Sequence, residues 1–397
     1  MDKVLNIAHC VESYAPAKGG MPEVVRQLSE RMAANGHRVT VFTSHHPQSE
    51  TNVINGVHIN CFKISGNEAE GIQGNTADYL AQLRSGNFDV VVFFAAQQWA
   101  FDAVADVLDT IPGKKVFVPT GFSHFHNPAY AAYFEKMQTR IGLFDANVFL
   151  SDNYADINFA RKHNARGICL IPNGAAEEEF EAPKTQQIRR KLGIASDALL
   201  LLHVGSYTGI KGQREALEIF MRAKLGNAVL LLAGDKNRYL NQQLLRHPRF
   251  IKLNLLRLLK RKRVIISELS RAETVDAFRE ADLFLFPSNV ECSPIVLFES
   301  MAAGVPFLAS AAGNTEEIIS WSNGGWLLPS QRRANGWVDV QLTESIALLE
   351  KLASNRTQLK QTGQAGHAAW KARFTWAHIA KQYISLYQQL TAGNNAK

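Results

Sequence analysis

Long apolar runs are missing from this 397-residue chain. Stretches such as Val90 to Ala96 and Leu199 to Leu202 fall far short of the roughly 18 residues that cross a bilayer, so no transmembrane helix is expected. Cysteine is scarce. The four present, Cys10, Cys61, Cys169 and Cys292, form no C-x-x-C and no Cys/His pairing, which argues against a disulfide framework and against a zinc site. No Asp-x-Asp occurs anywhere, so the usual carboxylate pair for a divalent cation is lacking. The opening MDKVLNIAHCVES breaks its apolar run at Asn6 and His9 and offers no small-residue cleavage site. A signal peptide is not expected, and a cytoplasmic location is. Tandem repeats and low-complexity tracts are also absent.

What is there is an ordinary globular composition, 46% hydrophobic and 20% charged. At roughly 100 to 200 residues per domain the length predicts two domains. Short β-rich apolar runs alternate with amphipathic segments of helical length, the pattern of βαβ units and parallel sheets. Strands are predicted at 4–8, 38–43, 57–62, 89–94, 115–118, 147–150 and 168–171. A second series follows at 198–203, 228–233, 264–267, 283–287, 307–310 and 326–328. Between the first two strands, Val24, Val25, Leu28 and Met32 share one face of a helix over 22–34 that Gly36 ends. The polar, proline-bounded stretch 172–187 reads as a linker. The expected division is a first Rossmann-like domain over 1–172, a second over 188–375, and a final helix, 376–397, able to pack back on the first. Two such halves imply a cleft at the carboxyl ends of their strands.

The stretch PSNVECSPIVLFESMAAGVPFLAS, residues 287–310, carries the most chemistry. Ser293 suits an N-cap, Pro294 the first helical position and Gly304 a left-handed stop. The N–H groups that begin at Ile295 and Val296 then favour an anion such as a diphosphate. Glu291 and Glu299 are suited to accepting hydrogen bonds from sugar or ribose hydroxyls rather than to meeting phosphate. Each also has a plainer reading, Glu291 as a carboxylate balancing the helix dipole and Glu299 as a solvated helix residue.

This Glu-x7-Glu pattern, followed by Met-Ala-Ala-Gly-Val-Pro, resembles the family 4 retaining glycosyltransferases. The resemblance extends over Gly19-Gly20-Met-Pro-Glu23-Val-Val, Ile171-Pro-Asn-Gly174, Gly205 through Lys211-Gly212, and Ala312-Gly313-Asn-Thr-Glu316-Glu-Ile. It implies the α/β GT-B fold, two Rossmann-like domains with parallel sheets facing across a cleft. It implies that Glu291 contacts donor-sugar hydroxyls, that Glu299 holds the ribose of the nucleotide, and that the donor lies against the second domain. Lys211, in the loop GSYTGIKGQ after a strand, would meet the diphosphate as a point charge. Ser206 stands where the family usually has an arginine, so half of the cationic pair is missing. Gly19 and Gly20 would let the backbone approach a ligand closely. Thr120 occupies the place of a family histidine, and His124 or His126 is a candidate to fill that role.

The implied activity is retaining, metal-independent transfer of a hexose from a UDP-sugar, UDP-glucose first, to a saccharide or lipid-linked acceptor, with no cofactor. The resemblance also implies surface polysaccharide synthesis as the setting. It implies that retention needs no pair of catalytic carboxylates, the departing phosphate taking the acceptor proton. Two other readings stay open, a nucleotide-sugar epimerase on the same architecture and a non-catalytic nucleotide-sugar-binding partner.

The charge, 43 Lys and Arg against 36 Asp and Glu, is unevenly placed. Residues 236–263 hold ten bases and no acid, leaving 33 of the 43 bases against all 36 acids elsewhere. Leu253, Leu255, Leu256, Leu258 and Leu259 interleave with Lys252, Arg257 and Lys260, as in a basic amphipathic surface helix. This segment is read as contacting an acidic bilayer, on the inner face of the membrane, or a lipid-linked diphosphate. The plainer reading is a solvated face. No aromatic interleaving suggests base stacking, so nucleic acid is not expected as a partner.

Overall fold

The computed structural model describes residues 3–48, 51–183, 187–235 and 262–392. The chain divides into two compact units, Met1–Asn173 with Trp376–Lys397, and Gly174–Thr375. Both are α/β with parallel sheets, as the alternation of apolar runs and amphipathic segments implies.

In the first unit the strands are β1 (Asn6–Cys10), β2 (Arg38–Ser44), β3 (Val53–Ile54) and β4 (Val57–Phe62), then the short hairpin β5 (Ser65–Asn67) and β6 (Gly71–Gln73), then β7 (Val90–Phe94), β8 (Lys114–Val118), β9 (Ala146–Phe149) and β10 (Ile168–Leu170). The main sheet runs β10-β9-β8-β7-β1-β2-β4-β3, and β3 alone is antiparallel to its neighbour. The final helix, Trp376–Ala392, joins this unit by burying Ile379, Ala380, Tyr383 and Tyr387, and it packs on the helix Gly20–Ala34.

The second unit contains β11 (Leu199–Val204), β12 (Ala228–Ala233), β13 (Lys262–Ser267), β14 (Leu283–Phe286), β15 (Phe307–Ala309) and β16 (Gly325–Leu327), all parallel, in the order β13-β12-β11-β14-β15-β16. A hairpin, β17 (Ser330–Arg332) with β18 (Val338–Val340), follows. The central strands β11, β12, β14 and β15 are buried on both faces, which is why they read as near-continuous apolar runs. Leu200, Leu202, Val229, Leu231, Phe284 and Phe286 pack into one cluster. Their neighbours Leu199, Leu201, Leu230, Leu232, Leu283 and Leu285 face the other way, into a second. Each such side chain stabilises by about 1.5–3 kcal/mol on burial.

Two sequence expectations need correction. Within the stretch 172–187, the described residues 174–183 are not a free linker, because the chain enters the second unit at Gly174 and begins to pack at once. Ala175 N–H donates to the Phe374 carbonyl, the Trp370 indole donates to the Ala175 carbonyl, and Phe180 is buried behind the short helix Glu177–Phe180. The apolar Ala175, Ala176 and Phe180 outweigh the acidic residues around them.

The second correction concerns the basic segment 236–263. Residues 236–261 lie outside the described residues, but Lys262 and Arg263 belong to β13. Lys262 is only 4% exposed, and its ammonium donates to the carbonyls of Phe220, Met221 and Ala223 at the end of the helix Gln213–Arg222. Its charge offsets the negative end of that helix. Arg263 donates to the carbonyls of Leu192 and Gly193, where the helix Ile188–Lys191 ends. Neither side chain belongs to a solvated basic face. Lys262→Met keeps the stem and removes the ammonium from those carbonyls, so the unfolding free energy should fall by about 1.5–3 kcal/mol. In urea titrations the midpoint of Lys262→Met drops, whereas Lys360→Met, at an exposed helix position, shifts stability by less than about 0.5 kcal/mol.

Candidate functional site

In the second unit the strand order reverses between β11 and β14, and the loops that leave the carboxyl ends of these two neighbours lie side by side. The loop after β11 carries Ser206 and Lys211 and ends at Gly212, whose left-handed φ of 76° caps the helix Gln213–Arg222. A Cβ at Gly212 would sit 2.0 Å from the Pro287 carbonyl oxygen, so this contact between the loops requires glycine. Asn289 N–H donates to the Ile210 carbonyl at 2.9 Å. Across this junction Lys211 Nζ reaches Glu291 Oε1 at 2.8 Å, and the Ser288 hydroxyl donates to the same oxygen at 2.8 Å. The Glu291 side chain is 8% exposed, a burial that an ionised carboxylate tolerates when it is paired and hydrogen-bonded.

The loop after β15 closes on Glu291 from another side. Gly313 has φ 62°, and a Cβ there would fall 2.3 Å from the Cys292 carbonyl oxygen and 3.0 Å from Glu291 Cβ. Asn314 N–H donates to that same carbonyl at 2.8 Å. The helix that follows begins one residue later than the sequence suggests. It spans Ile295–Ala302 with Pro294, in extended backbone, at the N-cap. Ser293 is therefore not the cap. Its hydroxyl accepts instead from Asn314 Nδ2 at 3.2 Å. Helix geometry leaves the N–H groups of Ile295 and Val296 without acceptors inside the helix. Gly304 ends the turn with φ 70°, as expected.

Glu299 lies one turn into this helix with its side chain 5% exposed, and Arg271 Nη1 is 2.5 Å from its Oε1. Glu299 is thus no solvated helix residue. Sequence reasoning missed Arg271, although Ser270-x-x-Glu273 was a visible capping box that sets Arg271 at the first position of the helix Arg271–Glu280. It also missed Ser288. Ser206 is exposed, and its carbonyl accepts from Gln213 Nε2. No cation stands at that position.

In the first unit, Gly19 has φ 145° and stands at the N-cap of the helix that Gly20 begins. Both are exposed. The ends of β7 and β8 hold four non-glycine residues in left-handed backbone, Ala95, Gln97, Thr120 and Phe122. Such residues cost about 1–3 kcal/mol each and persist where the surroundings over-determine them. Here Ala95 and Ala96 donate to the carbonyls of Val118 and Pro119, Gln97 N–H donates to the Tyr133 hydroxyl, and Gly121 N–H donates to Asp156. Thr120 sits inside this constrained loop. His124 is exposed and stacks on Tyr130, with ring centroids 4.5 Å apart. His126 meets Phe125 edge to face.

Two family models match the chain, Glycosyltransferase Family 4 over residues 18–179 and Glycosyl transferases group 1 over residues 184–365. Among curated proteins it is similar to lipopolysaccharide glucosyltransferase WaaG of Escherichia coli K12, with 27% identity over 356 residues, 85% of this chain and 90% of that protein. In two further curated relatives the matched region spans 53% and 61% of the relative's own length. The fold is that of sucrose-phosphate synthase from Thermosynechococcus elongatus, with a TM-score of 0.75 at 20% identity over 98% of this chain and 100% of that one. It is equally that of the Anabaena protein HepE, solved in complex with UDP and glucose, with a TM-score of 0.72 at 16% identity over 96% and 99% of the two chains.

The strained loop of the first unit rests on a buried acid. Asp102 accepts from the Tyr133 hydroxyl and from Glu68 N–H, both at 2.9 Å. Burial pushes its carboxyl up to about 7, against the pull of those two hydrogen bonds. A carboxyl raised in the folded state stabilises most below its unfolded value of 3.8, and that contribution is lost as pH rises through about 7. Between these limits the stability of the wild type relative to Asp102→Asn should fall by up to about 1.4 kcal/mol per pH unit. Denaturant midpoints of both proteins at pH 4, 5.5 and 7 measure it, and a difference independent of pH would refute it.

Proposed function

The chain belongs to the GT-B glycosyltransferases of the family 4 and group 1 type, and we propose that within them it is a retaining hexosyltransferase acting from a UDP-sugar on a saccharide or lipid-linked acceptor. The observation that carries this reading is the Lys211–Glu291 pair at the strand ends of the second unit, 2.8 Å apart beside the start of the helix Ile295–Ala302. A nucleotide-sugar donor offers two kinds of group, a diphosphate and sugar hydroxyls. Lys211 and the helix N–H groups suit the first, and the Glu291 carboxylate suits the second.

In the proposed reaction the bond from the anomeric carbon to the diphosphate oxygen breaks as charge builds on the nucleotide. The acceptor oxygen bonds to that carbon on the same face, and its proton passes to the departing phosphate. Lys211 stabilises the developing charge from a preorganised position, a role worth about 10²–10³ in kcat for comparable donors. Glu291 has two parts in this. Its hydrogen bonds fix the sugar, and its charge holds Lys211 where the diphosphate will lie. The name of the lipopolysaccharide glucosyltransferase WaaG, matched over most of its length, supports glucose as the sugar and surface polysaccharide assembly as the setting, and the HepE complex with UDP and glucose supports UDP as the nucleotide.

Purified protein with UDP-glucose, with and without saccharide acceptors, tests the class of reaction. UDP release that requires acceptor, without donor isomers, supports transfer, whereas isomers formed without acceptor mark an epimerase and neither product marks a non-catalytic binder. Lys211→Ala should lower transfer about 10²-fold, and Glu291→Ala should lower it by a similar factor. Intact transfer in Glu291→Ala would remove this site assignment.

The basic segment that remains after Lys262 and Arg263 are assigned to β13 supports a place on an anionic membrane surface. Neutralising Lys252, Arg257, Lys260 and Arg261 together should abolish co-sedimentation with vesicles rich in phosphatidylglycerol, and unchanged co-sedimentation would exclude it.

A further inference from the structure

We infer that Arg271 is the positioning residue for nucleoside recognition, holding the Glu299 carboxylate ionised and aimed for a ribose diol while Glu179 fixes the guanidinium from its other side. The inference rests on reading Glu299 as the nucleoside-binding carboxylate. Three separate segments of the second unit build the arrangement. Glu179 comes from the helix Glu177–Phe180, Arg271 from the helix Arg271–Glu280 and Glu299 from the helix Ile295–Ala302.

The guanidinium works as a fork. Arg271 Nε lies 3.1 Å from both Glu179 oxygens and Nη2 bonds Oε2, while Nη1 reaches Glu299 at 2.5 Å. A lysine could not serve both carboxylates in this way, because it offers one point charge in place of a planar set of donors. Both ends of the fork are anchored. The Arg271 backbone is fixed by the capping box, in which the Ser270 hydroxyl accepts from Glu273 N–H and Glu273 accepts from Ser270 N–H. Glu179 is held by buried Phe180 next to it and by Arg279, which donates to the Glu179 carbonyl at 2.8 Å.

The charge of the cluster selects its ligand. Two carboxylates and one guanidinium leave a net negative charge, which repels a phosphate and attracts hydroxyl donors. A carboxylate accepts about four hydrogen bonds, so Glu299 can keep Arg271 at Oε1 and receive a vicinal diol as well. Without Arg271 a carboxylate 5% exposed would be driven towards its protonated form and lose its capacity for two strong acceptor contacts. The rival explanation is a purely structural ion pair that ties the two helices together.

Calorimetric titration with UDP and with 2′,3′-dideoxy-UDP, which lacks both ribose hydroxyls, separates these. The wild type should prefer UDP by about tenfold or more. Arg271→Lys should weaken UDP about tenfold and leave dideoxy-UDP within about twofold, so that the preference collapses. Glu179→Gln, which keeps the shape of the fork's far partner, should reduce the preference partway. If Arg271→Lys weakens both ligands equally, or keeps the preference, the positioning role is overturned while Glu299 stands. If Glu299→Gln itself keeps the preference, or the wild type does not bind UDP, the reading of Glu299 fails and takes the inference with it. Circular dichroism melts within a few degrees of the wild type confirm that each variant compared is folded.

Discussion

A carboxylate that leaves water must find a cation or give up its charge, and the second unit is arranged around two carboxylates that are almost out of water. Glu291 and Glu299 flank the start of one helix, and their side chains are 8% and 5% exposed. The idealised cost of burying such a charge alone is far above the total stability of a domain. Each is therefore matched by a cation from a distant segment, Lys211 for one and Arg271 for the other. Neither pairing is local. The first joins residues 80 apart in the chain, and only the reversal of strand order between β11 and β14 brings their loops together.

Close backbone contacts hold the loops around these carboxylates. The loops after β11 and β15 each touch the loop after β14 through their backbones, and at the points of contact no side chain fits. Gly212 against Pro287 and Gly313 against Cys292 are those points. Both glycines also use left-handed backbone, so a substitution would meet a clash and a strained φ together. Rigid strands, fully buried on both faces, carry the loops. The site is consequently fixed by the fold rather than by the loops' own preferences, which is what a preorganised electrostatic site requires.

The architecture was legible in the sequence where burial was uniform. β12 coincides with its expected range, 228–233, and the first helix needed only two more residues at its start, because apolar periodicity reports directly on what is buried. Motif spacing singled out Lys211, Glu291 and Glu299, whose side chains the structure places in ion pairs. It did not single out Ser288 or Arg271. Ser288 carries no signal of its own, and the capping box that sets Arg271 at a helix start says nothing of Glu299, since these pairings are created by tertiary structure. Lys262 and Arg263 were misread for a related reason, because a charge count cannot distinguish an ammonium in water from one set on helix carbonyls. The shift of the helix start from Pro294 to Ile295 came from a proline in extended backbone, which sits as comfortably at an N-cap as one residue further on.

Ser206 changes the electrostatics more than a missing cation alone suggests. With an arginine at that position a single Glu291 would face two cations, leaving the loop pair net positive before any donor arrived. With Ser206 the pair is Lys211 and Glu291, one charge of each sign, and its long-range field largely cancels. A diphosphate would then be drawn less by charge at a distance than by short-range contacts with Lys211 and the N–H groups at the head of the helix Ile295–Ala302. The ammonium would have to serve carboxylate and phosphate together, which its three donors allow. Under the proposed function, Glu291 held at Lys211 would still be in reach of the sugar, so the same ion pair would align both halves of the donor.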